Sequence, residues 1–266
     1  MRYRRWKGAL AALLTACALT VPAAAAVVEV DGVPLTGEEG WVSDGVSYIT
    51  LKTLAELKGY DLNWDGKRAI LTGEGLELTA APGAIWVEVN GRALYVPAGV
   101  GSREGRSYLP LSVVADAAGG FLTWDAASAT ARLSLENAAA PVADYDGETL
   151  YWLSRIISAE SRGEVLLGQM AVGNVVLNRV AHQNYPDTVK GVVFDRNYGV
   201  QFEPVANGTV YDEPTATSVL AAKLCLEGAR VVADSLYFYA PALSAGTWIV
   251  ANGKYYTTIG CHKFYQ

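Results

Sequence analysis

Histidine is almost absent from this sequence. His182 and His262 are the only two in 266 residues, and no group of Cys, His, Asp or Glu has the close spacing of a metal-ligand motif. A metalloenzyme is not expected, and nothing in the chain requires a cofactor. Cysteine is nearly as scarce: Cys17 falls in an apolar leader, leaving Cys225 and Cys261, which are able to pair in an oxidising compartment or to stand as buried thiols. Charge is sparse too. Charged residues make up 18% of the chain against 51% apolar, a balance that excludes long disorder. Positive charge is the scarcer sign, with 21 Lys and Arg against 27 Asp and Glu. That removes nucleic acid as a partner, because its binding depends on clustered cations releasing counterions.

Long apolar runs are also missing. The one candidate span, Gly8 to Val21, is short of the roughly 20 residues that cross a bilayer. It follows a basic head of Arg2, Arg4, Arg5 and Lys7 and leads into Pro22 and the run Ala23 to Ala26, which resembles a signal-peptidase site. Export is expected, with residues 1–26 as a signal peptide and no transmembrane span in the mature chain. A single membrane anchor is one alternative. Another is a lipid on Cys17, where Leu14-Thr15-Ala16-Cys17 resembles a lipobox. Losing the four basic residues of the head leaves 17 cationic against 27 acidic residues, a mature charge of about −10.

What is present begins with a duplication. Residues 45–65 and 105–125 align without a gap through Gly45/Gly105, Ser47/Ser107, Tyr48/Tyr108, Leu51/Leu111, Ala55/Ala115, Gly59/Gly119, Trp64/Trp124 and Asp65/Asp125. Upstream, Val28-Glu29-Val30-Asp31-Gly32 is echoed by Val87-Glu88-Val89-Asn90-Gly91, so each unit opens with a short strand and an Asp-Gly or Asn-Gly turn. Leu51 to Leu57 has helical spacing, Gly59 stands at the C-cap, and short strands follow at Ala69 to Leu71 and Ala129 to Leu133. The identical placement of Trp64 and Trp124 favours repeat-core residues over sugar-stacking surfaces. Residues 27–136 resemble the N-terminal domain of copper amine oxidases. The resemblance implies a stalk for spacing or wall attachment, without copper chemistry. Residues 137–147, rich in Ala with Pro141, form the expected linker.

The second domain, residues 148–266, opens on Asp146-Gly147-Glu148-Thr149, which supplies cap candidates and negative charge for a helix start. Leu150, Leu153, Ile156 and Ile157 mark the inward stripe, with Ser154 and Arg155 off it, and the same steps land on Glu160; Gly163 should end the helix. A carboxyl facing inward at a helix C-terminus has its charged form disfavoured by burial and by the helix dipole. Protonated near neutrality, it is able to donate to a glycosidic oxygen. The competing possibility is a buried ion pair with Arg162 or Arg179. Val165 to Val180 is apolar nearly all round, as a central helix should be. A further helix is predicted from Pro214 to Gly228. Aromatic runs at Leu236 to Tyr239, Trp248 to Val250 and Tyr255 to Ile259 favour an antiparallel meander.

Several segments, in order, resemble the SleB/CwlJ cell wall hydrolases. They are Ala159-Glu160-Ser161-Arg162-Gly163-Glu164, Val176-Leu177-Asn178-Arg179, Gln201-Phe202-Glu203-Pro204-Val205, Leu236-Tyr237-Phe238-Tyr239 and Ile259-Gly260-Cys261-His262-Lys263-Phe264-Tyr265. The resemblance implies an α+β chain: a duplicated small α/β stalk, then an α-rich, lysozyme-like catalytic domain with a small antiparallel sheet. It also implies extracytoplasmic cleavage of peptidoglycan glycan strands in cell wall or spore cortex, with Glu160 as the catalytic acid. Gln201, Tyr237, Tyr239 and His262 are substrate-binding candidates, each alternatively packing within the aromatic sheet. Ser161 and Glu203 depart from the family's usual Ala and Ser. A lytic transglycosylase needs only Glu160. A hydrolytic muramidase would add Glu203, Asp187 or Asp195 as a second carboxylate. A cysteine peptidase using Cys225 or Cys261 with a histidine is disfavoured, because Cys261 and His262 should point apart on a strand. A wall-binding protein without chemistry is the remaining alternative.

Overall fold

The computed structural model describes residues 26–197, 199 and 201–266. Residues 1–25 of the expected signal peptide, Cys17 among them, lie outside the described residues. The chain is α+β. Its sheet-rich first half runs β1 (Val27–Val30), β2 (Val33–Pro34), β3 (Gly40–Ser43), β4 (Val46–Thr50), α1 (Leu51–Lys58), β5 (Asp61–Trp64), β6 (Ala69–Gly73), β7 (Leu76–Ala80), β8 (Trp86–Val89), β9 (Arg92–Tyr95), β10 (Gly101–Arg103), β11 (Arg106–Pro110), α2 (Leu111–Ala118), β12 (Phe121–Asp125) and β13 (Thr130–Ser134).

The duplicated sequence folds as two interleaved copies. Asp31-Gly32 and Asn90-Gly91 both take positive φ at both residues (47° and 79°, 49° and 79°), the geometry of a two-residue hairpin turn that matches strand twist. The first strand of one copy completes the sheet of the other: β1 pairs in parallel with β13, Val28 opposite Ala131, in the order β12-β13-β1-β2. The copies meet again where β4 pairs with β11, Ile49 opposite Leu109. Strand β7 breaks the symmetry by inserting between β6 and β8. Ile49, Leu54, Leu71, Val89, Leu109, Val114 and Leu133 pack into one core shared by both copies. Neither repeat buries its apolar face alone, as expected of stacked repeats.

The core assignment of Trp64 and Trp124 is overturned. They are 57% and 55% exposed, because each ends or nearly ends an outer strand of its sheet. Each borders a groove whose far wall is the hairpin turn of the other copy, Trp64 facing Gly105 to Ser107 and Trp124 facing Gly45 to Ser47.

The second half carries α3 (Gly147–Ser161), α4 (Leu166–Val180), α5 (Val189–Val193), α6 (Glu203–Asn207), a 3₁₀ turn at Thr209–Tyr211, α7 (Ala216–Leu226), β14 (Tyr237–Tyr239), α8 (Thr247–Asn252), β15 (Tyr255–Ile259) and β16 (His262–Tyr265). Among the described residues, no helix is long and apolar enough to cross a membrane. Helix α4 is buried on nearly every face and packs against both α3 and α7, which also pack on each other. Gly173 permits the close approach, since a Cβ there would meet Ile157 at 2.8 Å and Cys225 Sγ at 2.9 Å. Asp146 caps α3 by accepting from Thr149 N–H.

Four expectations need correction. Pro214 is not the first turn of its helix; Thr215 caps α7, accepting from Ser218 N–H, and Pro214 precedes the cap. Trp248 to Val250 is helical, since a three-residue aromatic run fixes no period. The sheet is no meander: the last strand sits centrally, in the order β14-β16-β15. Ser154, expected off the inward stripe, is buried, because α4 and α7 flank α3 and widen its covered face.

The two halves pack against each other. Ala93 is buried among the C-terminal helices, with Ile85, Trp86 and Tyr95 beside it. Arg92 donates through Nε and Nη2 to Glu227 Oε2 at 3.0 and 2.6 Å. Tyr145, from the connecting segment, accepts from Ala93 N–H through its hydroxyl at 3.4 Å and lies under Lys223 Nζ at 5.5 Å.

Candidate active site

Glu160 lies in the last turn of α3 and is half-buried. Burial pushes its carboxyl pKa up to about 7, the charge of Glu203 adds to the rise, and Arg179 opposes it. Neither arginine considered from the sequence forms an ion pair with it among the described residues. Arg162 turns to Asp212 at 3.7 Å and to Ser158 O. Arg179 Nε donates to Leu236 O at 2.8 Å, and its guanidinium lies over Phe202 at 5.1 Å, Tyr185 at 5.3 Å and Tyr237 at 5.8 Å.

Arg179 therefore organises this corner. It reaches from buried α4 into an aromatic box, where its charge is felt by Glu160, Asp195, Tyr185 and Tyr237. Asp195 is buried, accepts from Asn197 N–H through Oδ1, and has no partner at Oδ2 among the described residues; Arg179 Nη1 is likewise without one. Both atoms are sealed from solvent, and leaving such groups unsatisfied costs about 1–3 kcal/mol each. Glu203, exposed at the start of α6, is the second carboxylate close enough to act on Glu160, whereas Asp187 is exposed on another loop.

The sequence-predicted binding residues divide. Tyr237 belongs to the Arg179 box, sharing the guanidinium with Tyr185. Gln201 precedes the Phe202 that underlies Arg179, and its side-chain amide donates to Gly199 O at 3.3 Å. Tyr239 packs on Tyr265 at 5.9 Å. His262 is buried edge-on against Phe238 at 5.4 Å, away from the box, and burial lowers its pKa. Tyr185 was not legible in the sequence. Its only signal is Asn184-Tyr185-Pro186 following the Val-Leu-Asn-Arg helix end.

Cys225 and Cys261 are free, so the disulfide is excluded. Burial pushes Cys225 up to about 12, and its Sγ donates to Met170 O. Cys261 is exposed rather than a buried thiol. It occupies the turn between β15 and β16, which brings its Sγ to 3.6 Å from His262 Nδ1, so the pair does not point apart as an extended strand would require. Its thiol donates to Glu164, which raises its pKa and opposes a peptidase nucleophile.

The cell wall hydrolase family pattern matches residues 163–265, beginning just past Glu160, and the copper amine oxidase N-terminal domain pattern matches residues 29–133. The chain is 34% identical over 120 residues to a spore cortex-lytic enzyme of Bacillus cereus, covering 45% of each chain. It is 31% identical over 131 residues to that of Halalkalibacterium halodurans, covering 49% of this chain and 38% of the other. The chain thus spans less than half the length of these relatives. A solved structure, the catalytic domain of the germination-specific lytic transglycosylase SleB from Bacillus anthracis, is 33% identical, covers 46% of this chain and 97% of its own, and superposes with a TM-score of 0.42. Residues 163–265 therefore belong to the cell wall hydrolase family, carried behind a domain of the copper amine oxidase N-terminal type.

Proposed function

We propose that this chain is exported and cleaves peptidoglycan glycan strands outside the cytoplasm, in spore cortex, as a lytic transglycosylase with Glu160 as its single acid/base. The observation carrying this reading is a half-buried carboxyl with a pKa near neutrality and no arginine partner among the described residues, within reach of the charge of Arg179. The names of the curated relatives support the cortex as substrate. Glu160 donates its proton to the oxygen joining N-acetylmuramic acid to N-acetylglucosamine, and the C1–O bond breaks. It then takes the proton of the muramic C6 hydroxyl as that oxygen closes on C1, leaving a 1,6-anhydro end. The tethered nucleophile removes the need for a second carboxylate, since intramolecular attack is worth on the order of 7 kcal/mol or more.

Glu203 supports a second reading, hydrolysis, in which it would serve as the second carboxylate. Mass spectrometry of digested cortex and vegetative wall separates the two: anhydro ends indicate transglycosylation and reducing ends hydrolysis. Glu160→Gln should lose at least about a hundredfold in rate, the usual contribution of a general acid. Equal clearing of peptidoglycan by variant and wild type would overturn the catalytic role and leave a wall-binding protein.

A further inference from the structure

Sequence spacing offers no metal motif, yet folding gathers three unlike donors at one corner of the second domain. Glu164 comes from the α3–α4 connection, Cys261 from the β15–β16 turn and His262 from the first position of β16, with their donor atoms all within 4.8 Å of one another. Cys261 Sγ stands 3.6 Å from His262 Nδ1. A zinc ion bound to a thiolate at about 2.3 Å and an imidazole at about 2.0–2.1 Å, in tetrahedral array, sets that same S···N separation at about 3.6 Å. The Glu164 carboxylate completes the group, accepting from Cys261 N–H at 3.3 and 3.4 Å and from the thiol at 2.6 Å. The turn is fitted to it. Gly260 has φ 59°, which favours glycine, and a Cβ there would run into Glu164 Oε2, so any other residue would push the carboxylate aside. The imidazole is held by burial against Phe238, while Cys261 faces solvent.

We propose that Glu164, Cys261 and His262 form a binding site for a thiophilic divalent cation of the zinc type, with the fourth position open to solvent. Sulfur, nitrogen and one carboxylate suit zinc and disfavour calcium or magnesium, which take all-oxygen shells. On binding, the thiol proton is released to solvent and the carboxylate moves off the sulfur by about an ångström to its own bond with the ion. The cation then ties the terminal hairpin to the connection that follows the helix bearing Glu160. This site is independent of the proposed chemistry at Glu160, and its test does not read glycan cleavage.

The test titrates Zn2+ by calorimetry, and Co2+ by absorption, into the metal-free full chain carrying Cys17→Ser. One equivalent should bind, Co2+ should give a thiolate-to-metal charge-transfer band, and Zn2+ should slow alkylation of Cys261. Cys261→Ser, at an exposed position, should abolish the band and weaken Zn2+ at least about tenfold, and Glu164→Gln should weaken it comparably. Absence of saturable binding, absence of the band, unchanged alkylation or undiminished affinity in Cys261→Ser would each overturn the site.

Discussion

Glu160 owes its raised pKa to two causes of different origin. Its helix face buries it, and α6 places the charge of Glu203 near enough to raise its pKa further. A donor must be protonated, so kcat/KM should hold below a midpoint near 7 and fall about tenfold per pH unit above it. Glu203→Gln removes a charge that raises the midpoint, so it should move the alkaline limb to lower pH. A pH–rate profile of the variant beside wild type checks this, and an unmoved limb would remove Glu203 from the site. Glu160 was legible because the helical stripe and the family-like string converge on it. Tyr185 was not, because its role depends on where Arg179 points, and Arg179 is aimed by a backbone carbonyl, Leu236 O, far along the chain.

Helix α4 does more than fill the interior. From its inner face Asn174 donates to Ala229 O and accepts from Val231 N–H, while Asn178 donates to both Ala233 O and Ser235 O. These amides satisfy a connecting loop that has no ladder of its own, and that loop leads into the strand bearing Tyr237. Asn178→Ala should leave two carbonyls short of a donor and cost about 1–3 kcal/mol, measured by denaturant midpoint with an unchanged slope. Periodicity marked α4 and its buried character, and the C-cap glycines Gly59 and Gly119 marked the ends of α1 and α2. It could not classify α8, whose aromatic run is too short for a period, nor the strand order, which depends on hydrogen bonds between β14 and β16 across the intervening α8 and β15.

The two halves are joined by more than the connecting segment. Arg92 and Glu227, with side chains each 14% exposed, form a two-nitrogen contact across the boundary, and Tyr145 is held beside it. Arg92→Ala would leave Glu227 nearly buried without its cation and should destabilise by about 3 kcal/mol. In calorimetry the wild type should unfold in one transition and the variant in two. A single unshifted transition would mean that the contact does not couple the halves.

Reading along the chain recovered whatever depends on near neighbours: the duplication, the hairpin turns that demand positive φ, the helices with a clear stripe, and the carboxyl on that stripe. Contacts between distant residues had to await folding. Identical positions in two repeats guarantee like environments without naming them, which is why Trp64 and Trp124 are surface residues despite their symmetry. Glu164 meets Cys261 across 97 positions of sequence, and no local spacing encodes a meeting made by a hairpin turn folding back over the end of a helix.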